Sequence, residues 1–498
     1  MTPDEPRERS VWWKFAAGGL LMVLLTAAAT ATAGLLAIKD VADRIPKLAQ
    51  DVPVEPTKPG KPQTLLLLGS DRRYVDRNSK NAARSDTIML IRLDPGQEAT
   101  TLLSIPRDLK TEIPGYGYDK INSAYSLGGP KLTLRTVKEL LGIKVNHIIN
   151  VNFSGFRKAV DLLGCVYTDV DRRYYHSNAG LPASVQYAEI NIRPGYQKLC
   201  GKKALDYVRF RHADSDLVRA ARQQDFLRQA KDQISSSSLI NHRGKLIDIF
   251  TKSTEADKQL ATVSGLERLV KLAIFSAGHP IRQVPFPAQF AHDTLTDGTP
   301  VDYVTADPAA VTQTVQRFLH GAKRGAHKKH KRSHRSRTRV PTLLVNVRRA
   351  NEDLVAPSAA RHKLGFPIYY PTRATAAAKP SNVDSPRLYT LRDRADRRHH
   401  AYRLVFVQNE ADGQYYGIEG TDWRTPPLLS HPTSHRTVAG RHLLLFKEGS
   451  RLRTVAWRTS RAVYWVSNTL GNSLTNDQMI GIAATAGRFR SPKKHHHR

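Results

Sequence analysis

Carboxylates and guanidinium groups crowd two short parts of this chain. In the first, Asp71 lies in GSDRR, Asp86 in RSDT just after Arg84, and Arg107 in SIPRD. Two aspartates at strand ends suit a hard cation such as Mg2+, which takes one or two carboxylates and leaves its other positions to water and phosphate oxygens. Arg84 and Arg107 beside them offer forked donors to phosphate. Alone, the acids would read as solvated loop residues; with the arginines they point to phosphate-ester chemistry. In the second part, Arg209 and Arg211 stand two apart in YVRFRH, and Asp216, Arg219 and Gln223 follow at i, i+3 and i+7. That spacing stacks the last three along one side of a helix, with Asp216 near an N-terminus that attracts anions. A charged helix face is ordinarily a solvated one, yet this one follows directly on two arginines. Lys120 in KIN is either a phosphate ligand or a surface lysine.

The elements that must position these groups are legible. Leu65–Leu68 is an unbroken apolar run, which predicts a strand buried on both faces. Ile88–Leu93 and Thr100–Ile105 read as two more strands, folded back on each other by the Asp94-Pro95-Gly96 turn. If the first strand leaves the sheet at Asp71, the second enters near Asp86 and the third leaves at Arg107, all three ends meet at one edge. Val208 and Phe210 alternate with Arg209 and Arg211, which predicts a strand with both arginines on one face. Leu132–Leu141 has helical spacing after a Gly128-Gly129-Pro130 break. Ile148–Val151 and Val166–Val170 read as strands around a helix at Phe156–Leu163. Strands alternating with helices indicate a layered α/β domain.

The 498 residues carry a formal net charge of +33, which implies an anionic environment. Without a zinc finger, basic zipper or RNA-binding signature, no nucleic-acid partner is expected. Phe15–Ile38 runs uncharged between Lys14 and Lys39, long enough to cross a bilayer; the competing reading is a signal peptide cleaved near Ala31-Thr32-Ala33. Either way the remainder is exported. The two cysteines, Cys165 and Cys200, then fit a disulfide better than a metal site, buried free thiols being the alternative. Lys323–Arg339 is a basic linker, serving either as a spacer or for adhesion to anionic polymer or headgroups. Beyond it, short aromatic and β-branched runs separated by turns predict strands, and Thr475 predicts the N-cap of a closing helix. Trp423, Trp457 and Trp465 read as core rather than as a glycan-stacking platform.

GSDRR, RSDT, SIPRD, KIN followed by Gly128-Gly129, and YVRFRH leading into RAARQQ together resemble the LytR-CpsA-Psr family of bacterial cell-envelope enzymes, over about Thr64 to Gly321. The resemblance implies a membrane-anchored, extracytoplasmic phosphotransferase that attaches polyprenyl-pyrophosphate-linked glycopolymer to peptidoglycan. By motif position Asp71, Asp86 and Asp216 correspond to acids of a Mg2+ site. Arg107, Arg209, Arg211, Arg219 and Gln223 correspond to pyrophosphate contacts, with Arg84 and Lys120 beside them. The implied catalytic set is Asp71, Asp86, Arg107 and Arg211. The serine of GSD departs from the usual family pattern and puts little in doubt.

The fold class expected is α/β: a layered α-β-α domain with a mixed central sheet, an N-terminal transmembrane helix and a smaller C-terminal α+β domain. The divisions are a cytoplasmic tail 1–14, a signal-anchor 15–38, a spacer 39–63, the catalytic domain 64–321, the linker 322–340, the accessory domain 341–490 and a basic tail 491–498. The expected function is transfer of a teichoic acid, capsule or arabinogalactan type polymer, with a pyrophosphatase side activity. Arginine does not serve as a base here, so the hydroxyl proton falls to Asp71, Asp86 or Asp108. From another class, the alternative is a non-catalytic envelope regulatory or polymer-binding protein.

Overall fold

The structure is a computed structural model. It describes residues 36, 38–48, 50–70, 85–97, 100–181, 186, 188–210, 216–234, 238, 241–277, 281–294, 300–321, 344–361 and 364–489. In chain order, β1 (Gln63–Ser70), β2 (Ser85–Leu93) and β3 (Thr100–Ile105) are followed by a hairpin of β4 (Lys110–Ile113) and β5 (Gly117–Lys120). Helix α1 (Ser123–Leu141), β6 (His147–Asn152) and α2 (Phe153–Leu162) come next. Then β7 (Val166–Val170), β8 (Tyr174–His176), β9 (Ile190–Ile192) and β10 (Gly195–Leu199) lead into α3 (Gly201–Arg209) and α4 (Asp216–Gln233). The first half closes with α5 (Arg243–Ser253), β11 (Thr254–Ala256), α6 (Val263–Ala277), β12 (Ile281–Val284), β13 (Ala288–Thr294), β14 (Pro300–Ala306) and α7 (Pro308–His320).

The central sheet has six strands in the order β11-β6-β1-β2-β3-β12. Strand β1 runs parallel to β6 and antiparallel to β2, and β3 runs parallel to β12, so the sheet is mixed. Alternation along each strand divides the apolar side chains between two layers. Leu66, Leu68, Ile88, Leu90, Leu103 and Ile105 pack with α1 (Leu134, Val137, Leu141) and α7 (Val311, Val315, Phe318). Leu65, Ile91 and Leu93 turn the other way, onto Leu269 and Leu272 of α6. Helices thus cover both faces, which is why β1 carries no polar alternation. Gly128 and Gly129 break α1 as expected: Gly129 has φ of 62°, and Pro130 restarts the helix. Arg209 lies on a helix, not on the expected strand, because the last turn of α3 runs through it.

The second half has its own core under an eight-stranded antiparallel sheet. After α8 (Arg348–Arg361) and a two-residue edge strand at Lys379–Pro380 come β15 (Arg387–Arg392), β16 (Arg398–Asn409), β17 (Gln414–Thr421), β18 (Ser434–Val438), β19 (Arg441–Glu448), β20 (Arg451–Arg458) and β21 (Val463–Ser467). Helix α9 (Asn476–Thr485) opens with a capping box, in which Thr475 accepts from the Gln478 N–H and Gln478 accepts from the Thr475 N–H. Trp423, Trp457 and Trp465 are buried, so these three are core.

Among the described residues no helix is long and apolar enough to cross a membrane; of the expected span only Leu36 and Ile38 are described. The tails 1–14 and 491–498 and the basic linker lie outside the described residues.

Candidate functional site

Strand register brings the expected groups toward one edge. Ser70, the residue before Asp71, pairs with Ser85, the residue before Asp86, and Ser70 also pairs with Asn152 at the end of β6. Ile105 faces Ile88, so β3 exits at this same edge two residues before Arg107. Gly69 of GSDRR packs against Thr87 of RSDT so closely that a Cβ there would lie 3.0 Å from the Thr87 Cβ. The two motifs are therefore fitted to each other backbone to side chain. Asp71, Arg84 and Arg211 lie outside the described residues, and Asp86 and Asp216 are described only as backbone positions near the starts of β2 and α4.

Helix α4 supplies the roof. Arg219 and Gln223, one turn apart, share a shallow recess with Thr87, Ile88, Ser104, Ile105, Pro106 and Arg107. Gln224 fixes the helix by donating to the Ser104 hydroxyl at 2.7 Å. Gln223 donates to the Val208 carbonyl (3.1 Å) and Arg222 to the Phe210 carbonyl (2.7 Å), tying α4 to the end of α3. That end carries Arg209, whose guanidinium lies 4.8 Å from the Phe153 ring, immediately after β6 at the same edge. Arg222, missed by sequence reasoning, is buried with its guanidinium 4.7 Å from the Tyr174 ring. It lies three residues after Arg219 within the RAARQQ run.

On the floor, Asp108 stands between two cations: the Arg107 Nε is 3.4 Å from its carboxylate and the Lys120 Nζ 3.7 Å. The Lys110 and Lys120 ammonium groups lie 4.9 and 5.4 Å from the Tyr303 ring centroid, an arrangement that holds both by cation–π attraction. The structure thus joins Arg107 with Arg219 and Gln223, sets Lys120 beside Arg107 through Asp108, and places Arg209 at the neighbouring strand end. Planar guanidinium groups so arranged suit an anion with several oxygens. Cys165 and Cys200 are joined in a disulfide, with Cα atoms 4.5 Å apart, that ties the turn after α2 to the start of α3.

The sequence pattern of the LytR_cpsA_psr family matches residues 32–314. A Bacillus subtilis (strain 168) protein named polyisoprenyl-teichoic acid–peptidoglycan teichoic acid transferase TagT is 34% identical over 42% of this chain and 64% of its own length. A TagU of the same description from Oceanobacillus iheyensis is 35% identical over 39% of this chain and 58% of its own length. The chain therefore spans less than two thirds of either relative. A solved structure described as the LytR-CPS2A-psr family protein YwtF (TagT) with bound octaprenyl pyrophosphate lipid is 25% identical, covering 55% of this chain and 98% of that one, with a TM-score of 0.39.

Proposed function

This chain belongs to the LytR_cpsA_psr family, and from that premise we propose that it is a membrane-anchored, extracytoplasmic phosphotransferase that moves a polyprenyl-pyrophosphate-linked glycopolymer onto peptidoglycan. The observation that carries the reading is the recess in which Arg107, Arg219 and Gln223 meet, at the edge where the paired residues Ser70 and Ser85 immediately precede Asp71 and Asp86 in the sequence. In the reaction, a peptidoglycan sugar hydroxyl attacks the phosphorus that bears the glycan. The bond from that phosphorus to the bridging oxygen breaks, polyprenyl phosphate leaves with the bond's electrons, and the hydroxyl proton passes to Asp71, Asp86 or Asp108. Arg107 and Arg219, with Arg209 and Arg211, hold the pyrophosphate oxygens and take up the charge that grows on the leaving group. Asp108 orients Arg107 and Lys120 by standing between them.

Carboxylate oxygens suit Mg2+ better than a soft metal; Asp71 and Asp86, which follow the paired Ser70 and Ser85 in sequence, and Asp216 at the start of α4 would hold it. Bound there, it would supply charge neutralisation for the phosphate oxygens.

The test uses the purified full chain, a polyprenyl-pyrophosphate-linked glycan and peptidoglycan fragments. Expected are polyprenyl phosphate release and a phosphodiester-linked product, both lost with chelator and restored by Mg2+. Asp86→Ala should remove them while leaving the unfolding temperature in metal-free buffer near its original value. Donor binding without turnover would overturn the proposal in favour of a non-catalytic envelope regulatory or polymer-binding protein.

A further inference from the structure

Helix α4, DLVRAARQQDFLRQAKDQ, buries Val218 and Phe226, yet Arg219, Arg222, Gln224, Asp225 and Gln229 are buried as well. A polar helix is stable in such a place only if other elements satisfy it. Its site-facing flank meets β3, and Gln233 stitches it to β7, accepting from the Tyr167 N–H at 2.9 Å and donating to the Tyr167 carbonyl at 2.6 Å. Gln229 accepts from the Asp169 N–H at 3.2 Å, and two further contacts come from the second half of the chain. Arg453 of β20 reaches Asp225 at 2.5 Å, and Arg394 donates to the Gln233 carbonyl at 2.7 Å, at the helix's last residue. Asp225 also accepts from Arg228 and Gln229, each at 2.6 Å. Burial alone would push the Asp225 carboxyl up; Arg453 and Arg228 outweigh it and hold the group below the usual carboxylate range. Arg453 is itself fixed in register, its carbonyl accepting from the Asn468 N–H at 2.7 Å.

We propose that Arg453 is a positioning residue for the phosphate-binding edge: through Asp225 it sets the rotation and depth of α4, and so where Arg219 and Gln223 meet the ligand. The second domain is then a wall of the site's scaffold rather than a detachable module. The proposal rests on the reading of that edge as a pyrophosphate site. Asp225 is two residues from Gln223, so a small roll of the helix about its axis moves both.

The experiment compares full-length Arg453→Met, Arg453→Lys and Tyr402→Phe with the unaltered chain. Tyr402 is a control because it is buried in the second core and its hydroxyl contacts Tyr369, away from α4. At a temperature where all are folded, Arg453→Met should speed amide exchange across residues 216–233. It should also lower kcat/KM for the lipid-linked donor by roughly tenfold, mainly through KM. Arg453→Lys keeps the charge and should recover part of both; if the Met variant does not fold, the Lys variant carries the comparison. Tyr402→Phe should leave both readouts near their original values. Unchanged exchange in α4, or an equal loss of kcat/KM in Tyr402→Phe, overturns the proposal. An unaltered chain inert toward the donor would instead sink the phosphotransferase reading, while loss of α4 protection with full turnover would sink only the positioning role.

Discussion

Arg219 is buried beside Arg107 and Gln223, where a lysine would carry the charge into the recess without the planar fork. We therefore expect Arg219→Lys to lower kcat/KM by about tenfold or more, equivalent to roughly 1.4 kcal/mol of transition-state contact, with little change in unfolding midpoint. Steady-state kinetics on a soluble lipid analogue decide it, and turnover at the original rate would remove Arg219 from the site. At this scale the sequence was informative in an uneven way. Spacing at i, i+3 and i+7 was enough to set Arg219 and Gln223 on one flank of α4. The strand expected at Arg209 gives way to a helix because the alternation of Val208 and Phe210 spans four positions, too short to exclude one. The competing signal was present in Lys202 and Asp206, an i, i+4 pair whose side chains lie 2.7 Å apart in α3.

Among elements, β1 to β3 were readable because their apolar runs and the Asp94-Pro95-Gly96 turn are local, and local signals survive without knowledge of partners. The burial of α4 was not, since its polar faces are buried by Ser104, Tyr167 and Arg453, each distant in sequence. Gln224→Ala tests that packing. It leaves the Ser104 hydroxyl without its donor in a buried setting, and a buried group left unsatisfied costs about 1–3 kcal/mol. A urea titration should show an unfolding free energy lower by about that amount, and activity should fall because the helix sits less firmly on β3. An unchanged midpoint would mean that the hydrogen bond does not hold the helix down.

Across the whole molecule, the two halves meet through charges as well as through a shared aromatic cluster of Tyr167, Tyr196, Trp423 and Trp465. Arg403 of β16 is fully buried between Asp169 of β7 at 2.7 Å and Glu419 of β17 at 3.1 Å. Trp465 donates to Asp169 (3.2 Å), and the Tyr196 N–H donates to Glu419 (2.8 Å). One arginine shared by two buried acids leaves one carboxylate undercompensated. Burial, reinforced by the negative charge of Asp169, pushes the Glu419 carboxyl from the usual 4.5 up to about 7. The folded chain thus keeps this proton over a range in which the unfolded chain has lost it. Its contribution to stability is full below about 4.5, declines as pH rises, and is gone above about 7, a span worth on the order of 3 kcal/mol. Glu419→Gln imitates the protonated group, keeps an acceptor for Tyr196 and cannot titrate. Denaturant unfolding of both proteins from about pH 5 to pH 8 should therefore show the unaltered chain losing stability relative to the variant as pH rises. The change should report on both halves together, because Asp169 and Tyr196 belong to the first and Arg403 and Glu419 to the second. Parallel stability curves would mean that Glu419 is ionised throughout, with Arg403 and its hydrogen bonds compensating it fully.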